Sequence, residues 1–299
     1  MYGLLVFLMF AYYLALPFIY LLAALPFRAL YAVSDFLCFV LYNLIGYRKD
    51  VIEGNLRNSF PEKSEAEIKS ISKKYYHYLC DLILESLKKI NINEKVAIER
   101  CKFSSTSILD RLRSENRSVI ILMGHYGNWE WAGSTFTLST NYQLYVIYKT
   151  LSNKYFEDLM CKTRTMFGTK IIKMENTLKD ILNNKNNPSA YAFIADQTPF
   201  PQHAYWTTFL NQDTPLFTGA EKIAKKLNFP VVFVNIVRDK RGYYTIHEEL
   251  LFENPKDTKD NEITETYIRR LEQEIIKMPE TWLWSHRRWK HKRQLSVNN

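Results

Sequence analysis

No charged side chain occurs between Met1 and Phe27, although Lys, Arg, Asp and Glu make up 24% of this 299-residue sequence. An uncharged apolar run of this length can cross the hydrocarbon core of a bilayer as a helix. A cleaved secretory signal would begin with a basic segment and carry a shorter apolar core, and the sequence shows neither feature. We therefore predict a transmembrane anchor over residues 1–27.

Paired cysteines, internal repeats and domain linkers are missing as well. The four cysteines are scattered, which is unlike a zinc or dithiol site and predicts reduced residues in the core. No group of histidines and carboxylates has the spacing of a metal site, so a metal hydrolase is disfavoured. Nothing resembles a nucleic-acid-binding module. The formal net charge of +9 therefore favours anionic lipid or an acidic protein as the partner.

The distribution of basic residues predicts the orientation of the chain in the membrane. Arg28, Arg48, Lys49 and Arg57 follow the uncharged run, whereas no basic side chain precedes it. By the positive-inside rule, the bulk of the protein should lie in the cytoplasm. A second apolar stretch at 29–47 contains Asp35 and could be an interfacial helix or a second span. We divide the chain into an anchor, an interfacial or juxtamembrane segment at 28–60 and a single domain at 61–299.

Strand and helix patterns alternate through the rest of the chain, which predicts an α/β fold with a mixed central sheet flanked by helices. Residues 55–62 are expected to form a turn, after which Ser64 and Glu67 form the capping box of a long amphipathic helix. Further helices are predicted at 155–166, up to 182, at 218–227 and at 263–276, and strands at 119–123, 144–148, 170–172, 191–195, 231–237 and 243–247.

The stretch 118–131, SVIILMGHYGNWEW, is the centre of the functional prediction. It combines a buried strand, a glycine, and then His125 at the position where open α/β sheets place their chemistry. Asn128 should cap a helix that begins at Trp129 and puts Glu130 in its first turn. If Glu130 faces His125, the carboxylate would keep one imidazole nitrogen protonated and leave the other to accept a proton. The alternative is a packed strand-end histidine, because this spacing also arises by chance.

Several further segments make the chain resemble the late acyltransferases of bacterial lipid A biosynthesis, within the lysophospholipid-acyltransferase-like superfamily. The resemblance runs from the N-terminus to about Lys292. One departure is Lys149, where an arginine is usual, and another is Asn211, where a glycine is usual. The segments that carry the resemblance are Asn55-Leu56-x-x-Ser59-Phe60-Pro61, His125-x4-Glu130, Tyr148-Lys149 with Arg164, Asp196-Gln197, the Phe209/Thr214 region and Pro279-Glu280-x-Trp282-x-Trp284-x-His286-Arg287-Arg288-Trp289-Lys290.

This resemblance implies an O-acyltransferase at the cytoplasmic face of the inner membrane, among membrane lipids. It would move a fatty acyl chain from acyl carrier protein to a hydroxyl of an anionic glycolipid, a lipid A precursor, without a cofactor or metal. His125 would accept the hydroxyl proton and Glu130 would fix its tautomer, so that the oxygen attacks the thioester directly. Arg164 or backbone amides after His125 would stabilise the oxyanion. The residues expected to contact substrate are Asn128, Lys149, Arg164, Asp196 and Gln197.

Several alternatives stay open at this point. Asp196-Gln197 could anchor a loop, or it could position the sugar or Arg164. The basic segment 286–293 could be a solvated tail, or it could hold anionic headgroups or the acidic carrier protein. The same chemistry could act on another lipid acceptor, such as an aminolipid or a glycosylated phospholipid. The chain could also be a membrane-tethered binding protein without turnover.

Overall fold

A computed structural model describes residues 2–151 and 153–293, so that the predicted boundaries at Met1 and Asn299 fall outside the described residues. Helices and strands alternate along most of the chain. The helices are α1 (Tyr2–Ala24), α2 (Phe27–Phe39), α3 (Lys49–Ser59), α4 (Glu65–Lys88), α5 (Glu94–Arg100), α6 (Ser107–Ser114), α7 (Trp129–Ser139), α8 (Lys154–Arg164), α9 (Thr177–Asn183), α10 (Gly219–Leu227) and α11 (Glu262–Lys277). The strands are β1 (Cys101–Phe103), β2 (Val119–Met123), β3 (Gln143–Tyr148), β4 (Lys170–Lys173), β5 (Ser189–Ile194), β6 (Tyr205–Phe209), β7 (Gln212–Leu216), β8 (Val231–Lys240) and β9 (Tyr243–Phe252).

The strands form a seven-stranded sheet in the order β1-β9-β8-β2-β5-β3-β4, and β6 and β7 form a separate hairpin. All neighbouring pairs in the large sheet are parallel except β8 and β9, which are antiparallel. Helices pack on both faces, and every residue of the central strand β2 is buried. This is why its sequence is continuously apolar, since a strand covered on both faces has no polar side. The predicted mixed α/β fold is confirmed.

Local sequence signals located several elements correctly. Strand β2 has the predicted bounds, and β9 pairs with β8 as its predicted neighbour. Helix α4 begins with the predicted capping box: the Ser64 hydroxyl accepts from the Glu67 backbone N–H, and Glu67 accepts from the Ser64 N–H. These signals are reliable because the contacts that define them lie within a few residues of each other.

The prediction of a turn over residues 55–62 was wrong for its first half, because α3 continues to Ser59. Asparagine, serine and the following Phe60-Pro61 suggested a turn. Ile52 and Leu56, one helical turn apart, are fully buried in the core that α4 completes. Burial of this apolar stripe outweighs the weak helix propensity of the polar residues between them.

The N-terminal helices are candidates for membrane anchoring. Within the described residues, the stretch Phe27–Ile45, formed by α2 and a π-helical segment, is long and apolar enough to cross a membrane by length and composition. It coincides with the segment for which the sequence left an interfacial helix and a second span open. Helix α1, of 23 residues, contains no charged side chain. Large apolar side chains of both helices are exposed, as expected for contact with lipid, among them Leu14, Phe18, Leu21, Phe36 and Phe39.

Polar contacts hold α2 to the α/β domain. The Ser34 hydroxyl donates to the buried carboxylate of Asp81 on α4, at 2.6 Å. Arg241, in the turn between β8 and β9, bridges Asp35 and Asp81 with N···O distances of 2.7 Å to each carboxylate. Asp35, which was the one acidic residue of the second apolar stretch, therefore has a cationic partner in the domain. A helix of membrane-like composition is thus also an integral part of the packing.

Gly127, in the loop after β2, has a backbone conformation that other residues adopt at a cost. Its φ is +61°, and a Cβ atom at this position would lie 2.1 Å from the Ile236 carbonyl oxygen. Its backbone N–H donates to the Thr281 carbonyl at 3.1 Å, and its carbonyl accepts from the Tyr78 hydroxyl at 2.5 Å. The segments that contain Ile236, Thr281 and Tyr78 all approach the backbone here closely, and this requires glycine.

We expect Gly127→Ala to lower the free energy of unfolding by about 2 kcal/mol or more, because the left-handed backbone and the clash with Ile236 both oppose alanine. The matched control is Gly54→Ala in α3, where a Cβ atom meets nothing within 4 Å. That change should stabilise the helix by about 0.5–1 kcal/mol. Denaturant unfolding of both variants in detergent provides the measurement, and equal effects would contradict the assignment of strain to Gly127.

Candidate active site

Two parallel strands bring the candidate catalytic residues together. β2 and β5 are hydrogen-bonded neighbours in register, with Met123 opposite Ile194. His125 follows the carboxyl end of β2 and Asp196 follows the carboxyl end of β5. Although 71 residues separate them in the sequence, the His125 Nδ1 and Asp196 Oδ1 atoms lie 2.6 Å apart. The sheet therefore creates an imidazole–carboxylate pair at the edge where α/β proteins carry their sites.

The Asp196 carboxylate is buried and accepts three hydrogen bonds. One comes from the His125 ring, one from the His125 backbone N–H at 2.8 Å, and one from the Trp282 indole at 2.8 Å. Burial raises the pKa of Asp196, but the charge of His125 and these hydrogen bonds outweigh burial and lower the pKa to about 2. Asp196 is therefore ionised at neutral pH.

The ionised Asp196 determines which nitrogen of His125 carries a proton. A carboxylate can only accept, so Nδ1 must be the protonated nitrogen. This leaves the lone pair on Nε2, which lies 3.3 Å from the Gln197 side-chain amide nitrogen. The Trp129 ring packs against the imidazole in an edge-to-face arrangement, with 5.0 Å between ring centroids. An imidazole fixed in this tautomer can accept a proton at Nε2 as a general base.

Glu130 has a different partner from the one expected. We predicted that it would hold the His125 ring, but its carboxylate forms a two-point ion pair with Arg164 of α8, at 2.5 and 3.2 Å. Burial raises the pKa of Glu130, and the charge and hydrogen bonds of Arg164 outweigh it, so that the pKa lies below its usual value. The position of Asp196 explains the difference: a neighbouring strand end lies closer to the imidazole than the first turn of α7 does.

Most of the predicted residues line one cavity of about 340 Å³. His125 and Gln197 lie in its wall together with the Glu130–Arg164 pair, and Lys149 is an exposed residue of the same lining. Arg164, at the end of α8, thus lines the same cavity as His125. The structure therefore brings an imidazole, a carboxylate and the three cationic side chains of Lys89, Lys149 and Arg164 to a single chamber.

Two of the residues expected to contact substrate, Asp196 and Asn128, are buried and do not line this cavity. The Asp196 carboxylate is bound to His125 and Trp282. Asn128 has other partners. It is fully buried, its Oδ1 accepts from the Trp131 backbone N–H at 3.0 Å, and its amide donates to Glu85 at 2.7 Å. The predicted N-cap of α7 is thereby confirmed. Because both polar atoms of its side chain are bound within the protein, the structure gives Asn128 a structural role in place of substrate contact.

Lys89 and Trp282 are site residues whose position the sequence did not predict. The Lys89 ammonium is buried beneath the cavity and donates to the Glu130 carbonyl at 2.8 Å. Burial lowers the pKa of Lys89 to about 8. No local pattern identifies it, because α4 and α7 are joined only in the folded protein. Trp282 lies in the C-terminal signature, but its bond to Asp196 could not be read from that motif.

The C-terminal segment 286–293 divides into two parts. Its first half is packed: Arg288 is fully buried and donates to the Pro215 carbonyl at 2.7 Å, and Trp284, just before the segment, is fully buried as well. His286 is also largely buried, and burial lowers its pKa to about 4. The second half lies along a groove of about 980 Å³ that α3 and the β6–β7 hairpin also line. Only this second half can be a solvated basic tail.

Comparison with known proteins agrees with the geometry. A model of the family described as bacterial lipid A biosynthesis acyltransferase matches residues 4–291. The chain is 22% identical over 250 residues to the lipid A biosynthesis palmitoleoyltransferase of Escherichia coli (strain K12), covering 81% of this chain and 79% of that protein. The lipid A biosynthesis acyltransferase of Shigella flexneri matches with the same identity and coverage. Both relatives are similar over most of their length.

Asp196 should make a pH-dependent contribution to stability. Its pKa is depressed from 3.8 to about 2, so the stabilisation is present above pH 3.8 and is lost as the pH falls towards 2. At pH 7 we expect Asp196→Asn to lower the free energy of unfolding by about 2 kcal/mol. Urea unfolding should be measured as a function of pH. The difference in unfolding free energy between the variant and the wild-type protein should disappear as the pH falls towards 2.

A matched control for this prediction is Asp260→Asn, because the Asp260 side chain is 96% exposed. Its stability curve should follow that of the wild-type protein at every pH. If Asp196→Asn also runs parallel to wild type down to about pH 2, the carboxylate does not stabilise the fold through its ionised form.

Proposed function

We propose that this chain, which belongs to the bacterial lipid A biosynthesis acyltransferase family, moves a fatty acyl chain from acyl carrier protein to a hydroxyl of a lipid A precursor. Family membership identifies an acyltransferase enzyme with a lipid acceptor. The observation that supports the chemistry is the His125–Asp196 pair. Its Nε2 carries the lone pair, has the Gln197 amide 3.3 Å away, and belongs to the lining of a cavity large enough for reacting groups. The exposed apolar helices support action at the inner membrane, and the basic residues after them support its cytoplasmic face.

In this proposal His125 is the general base and Asp196 its orienting carboxylate. Nε2 takes the proton of the acceptor hydroxyl while its oxygen attacks the thioester carbonyl carbon. The C–O bond forms, the C–S bond breaks, and the proton on His125 passes to the departing sulfur. Asp196 stabilises the imidazolium that exists between these proton transfers. Asp196 thus has the role that the sequence predicted for Glu130, which was to fix the tautomer of His125.

Glu130 and Arg164 would act together on the developing negative charge. The expected alternatives for the oxyanion donor were Arg164 and the backbone amides after His125. The Gly127 amide is already bound to the Thr281 carbonyl, which favours Arg164. Glu130 binds Nε and Nη2 of the guanidinium, so Nη1 is the group left to donate to a substrate oxygen. In this arrangement Glu130 is a positioning residue that aims the guanidinium.

The decisive test is mass spectrometry of total lipids from cells with and without the protein. We expect one additional acyl ester on a lipid A precursor when the wild-type chain is present. His125→Ala should reduce the rate of its formation by about 10²-fold or more, because the proton acceptor is lost. The control is His247→Ala: His247 is exposed and bonds the Ser104 hydroxyl, away from the cavity.

Other outcomes of this experiment have defined meanings. An additional ester on an aminolipid or glycosylated phospholipid would keep the chemistry and change the acceptor. Full transfer by His125→Ala would overturn the general-base role. A lipid profile that is identical with and without the wild-type protein would favour a membrane-tethered binding protein.

Substitutions of the ion pair test the role of Arg164 separately. We expect Arg164→Lys to lower kcat, because an ammonium cannot reproduce the planar fork that binds Glu130 and still donates from Nη1. Glu130→Gln should lower kcat similarly, and the double variant should be little worse than either single variant if the pair acts as a unit. A rise in KM alone would instead indicate a contact made equally before and during the reaction.

A further inference from the structure

Gly133 is an unusual residue in the interior of α7. Glycine destabilises a helix relative to alanine, so it normally persists there because of close packing or a special backbone conformation. Neither reason applies, since Gly133 lies within the regular helix Trp129–Ser139 and a Cβ atom at this position would meet no heavy atom within 4 Å. A side chain here would therefore point into open space.

Two cavities share Gly133 in their linings. Gly133 lines the 340 Å³ chamber that contains His125, and it also lines a second cavity of about 40 Å³ behind it. Trp129, Val146 and Ile194 are likewise shared by both linings. The two cavities are therefore adjacent, and Gly133 and these three residues form the boundary between them, which we call the junction. Gly133 contributes no side chain to this junction.

The second cavity has the character of a hydrocarbon site. Its lining consists entirely of apolar residues from the sheet and α7. It includes the Phe103 and Phe136 rings, which do not line the chamber beside His125 and lie 5.8 Å apart between centroids. An apolar cavity of this kind offers no partners to water and prefers apolar groups. The chamber beside His125 is by contrast lined by charged and polar groups as well. Together the two cavities suit a molecule with a polar, reactive end and an apolar tail.

We propose that the acyl chain being transferred runs from the chamber across Gly133, with its terminal methylene and methyl groups in the apolar cavity. This inference rests on the proposed function, because a thioester carbonyl beside His125 places the attached chain at the junction. Gly133 then determines whether a long chain can enter, and the phenylalanine pair limits how far it extends. Chain-length preference is thus set at one backbone position and one aromatic wall.

A series of Gly133 substitutions tests this inference. The variants Gly133→Ala, Gly133→Leu and Phe136→Leu, the last in the phenylalanine pair, are offered a mixture of acyl carrier protein thioesters of about eight to about sixteen carbons. Mass spectrometry of the products gives the chain-length profile. We expect Gly133→Leu to reduce transfer of the wild-type chain relative to shorter chains by at least about 10-fold, the usual effect of one methylene that no longer fits. Gly133→Ala should do so less strongly, and Phe136→Leu should shift the preference towards longer chains.

Stability and a second glycine provide the controls. Gly133→Ala should keep or raise the midpoint of thermal unfolding, so a change in its profile cannot be attributed to unfolding. Gly54→Leu introduces the same side chain in α3, at a helical glycine that also has nothing within 4 Å, and should leave the profile unchanged. The inference would be overturned if the Gly133 variants lost transfer equally for all chain lengths, or if their chain-length profile were unchanged. In either case, an active wild-type protein would leave the proposed function intact.

Binding distinguishes a failure of the proposed function from a failure of this inference. Acyl-pantetheine thioesters of the same lengths are titrated into the full chain in detergent, and quenching of tryptophan fluorescence is followed because Trp129 lines both cavities. If the wild-type protein binds long-chain thioesters and Gly133→Leu weakens only these, the cavity assignment stands even without turnover. If affinity does not depend on chain length, the cavity does not hold the chain.

Discussion

The site depends on the buried carboxylate of Asp196, which joins three separate parts of the chain. It accepts from the backbone and the ring of His125 after β2, lies itself after β5, and accepts from Trp282 in the C-terminal segment. Three donors make a buried charge tolerable in a place where a lone carboxylate would be protonated. The same contacts fix the tautomer of His125. A single ionised group therefore orients the His125 imidazole and ties Trp282 of the C-terminal segment to the edge of the sheet.

A second buried carboxylate connects this site with the N-terminal helices. Glu85 of α4 is fully buried and accepts from Tyr31 of α2 at 2.9 Å, from Asn128 at 2.7 Å and from Tyr244 of β9 at 2.7 Å. Asn128 in turn caps α7, the helix that carries Glu130 and Gly133. Since an unpaired polar group in this position would be costly, the contacts favour one relative position of α2, α4 and the site loop. Helix α2, which is suited to lipid contact, and α7, which carries Glu130, are thus both bound to Glu85.

The predictions that succeeded depended on short-range physics. The capping box at Ser64, the Asn128 cap and the all-apolar strand β2 each rest on contacts or burial that a few neighbouring residues specify. The turn predicted at 55–62 failed because burial of Ile52 and Leu56 against distant helices, which no local pattern reports, extended α3 to Ser59. The site residues show the same contrast between short-range signals and long-range contacts. His125, Glu130 and Arg164 could be named from motifs, but their partners could not.

The sequence by itself determined the fold class, the apolar N-terminal helices and the segments that meet at the site. Periodicity, capping and charge distribution depend on residues close together in the sequence, so they can be recognised without a structure. Only the tertiary structure decided that Asp196 rather than Glu130 orients His125, that Arg164 binds Glu130, and that Gly133 opens onto a second cavity. Each of these depends on which strand ends and helix faces become neighbours in the sheet. The Asp196 carboxylate accepts the hydrogen bond of the His125 Nδ1–H at 2.6 Å, although 71 residues separate the two in the sequence.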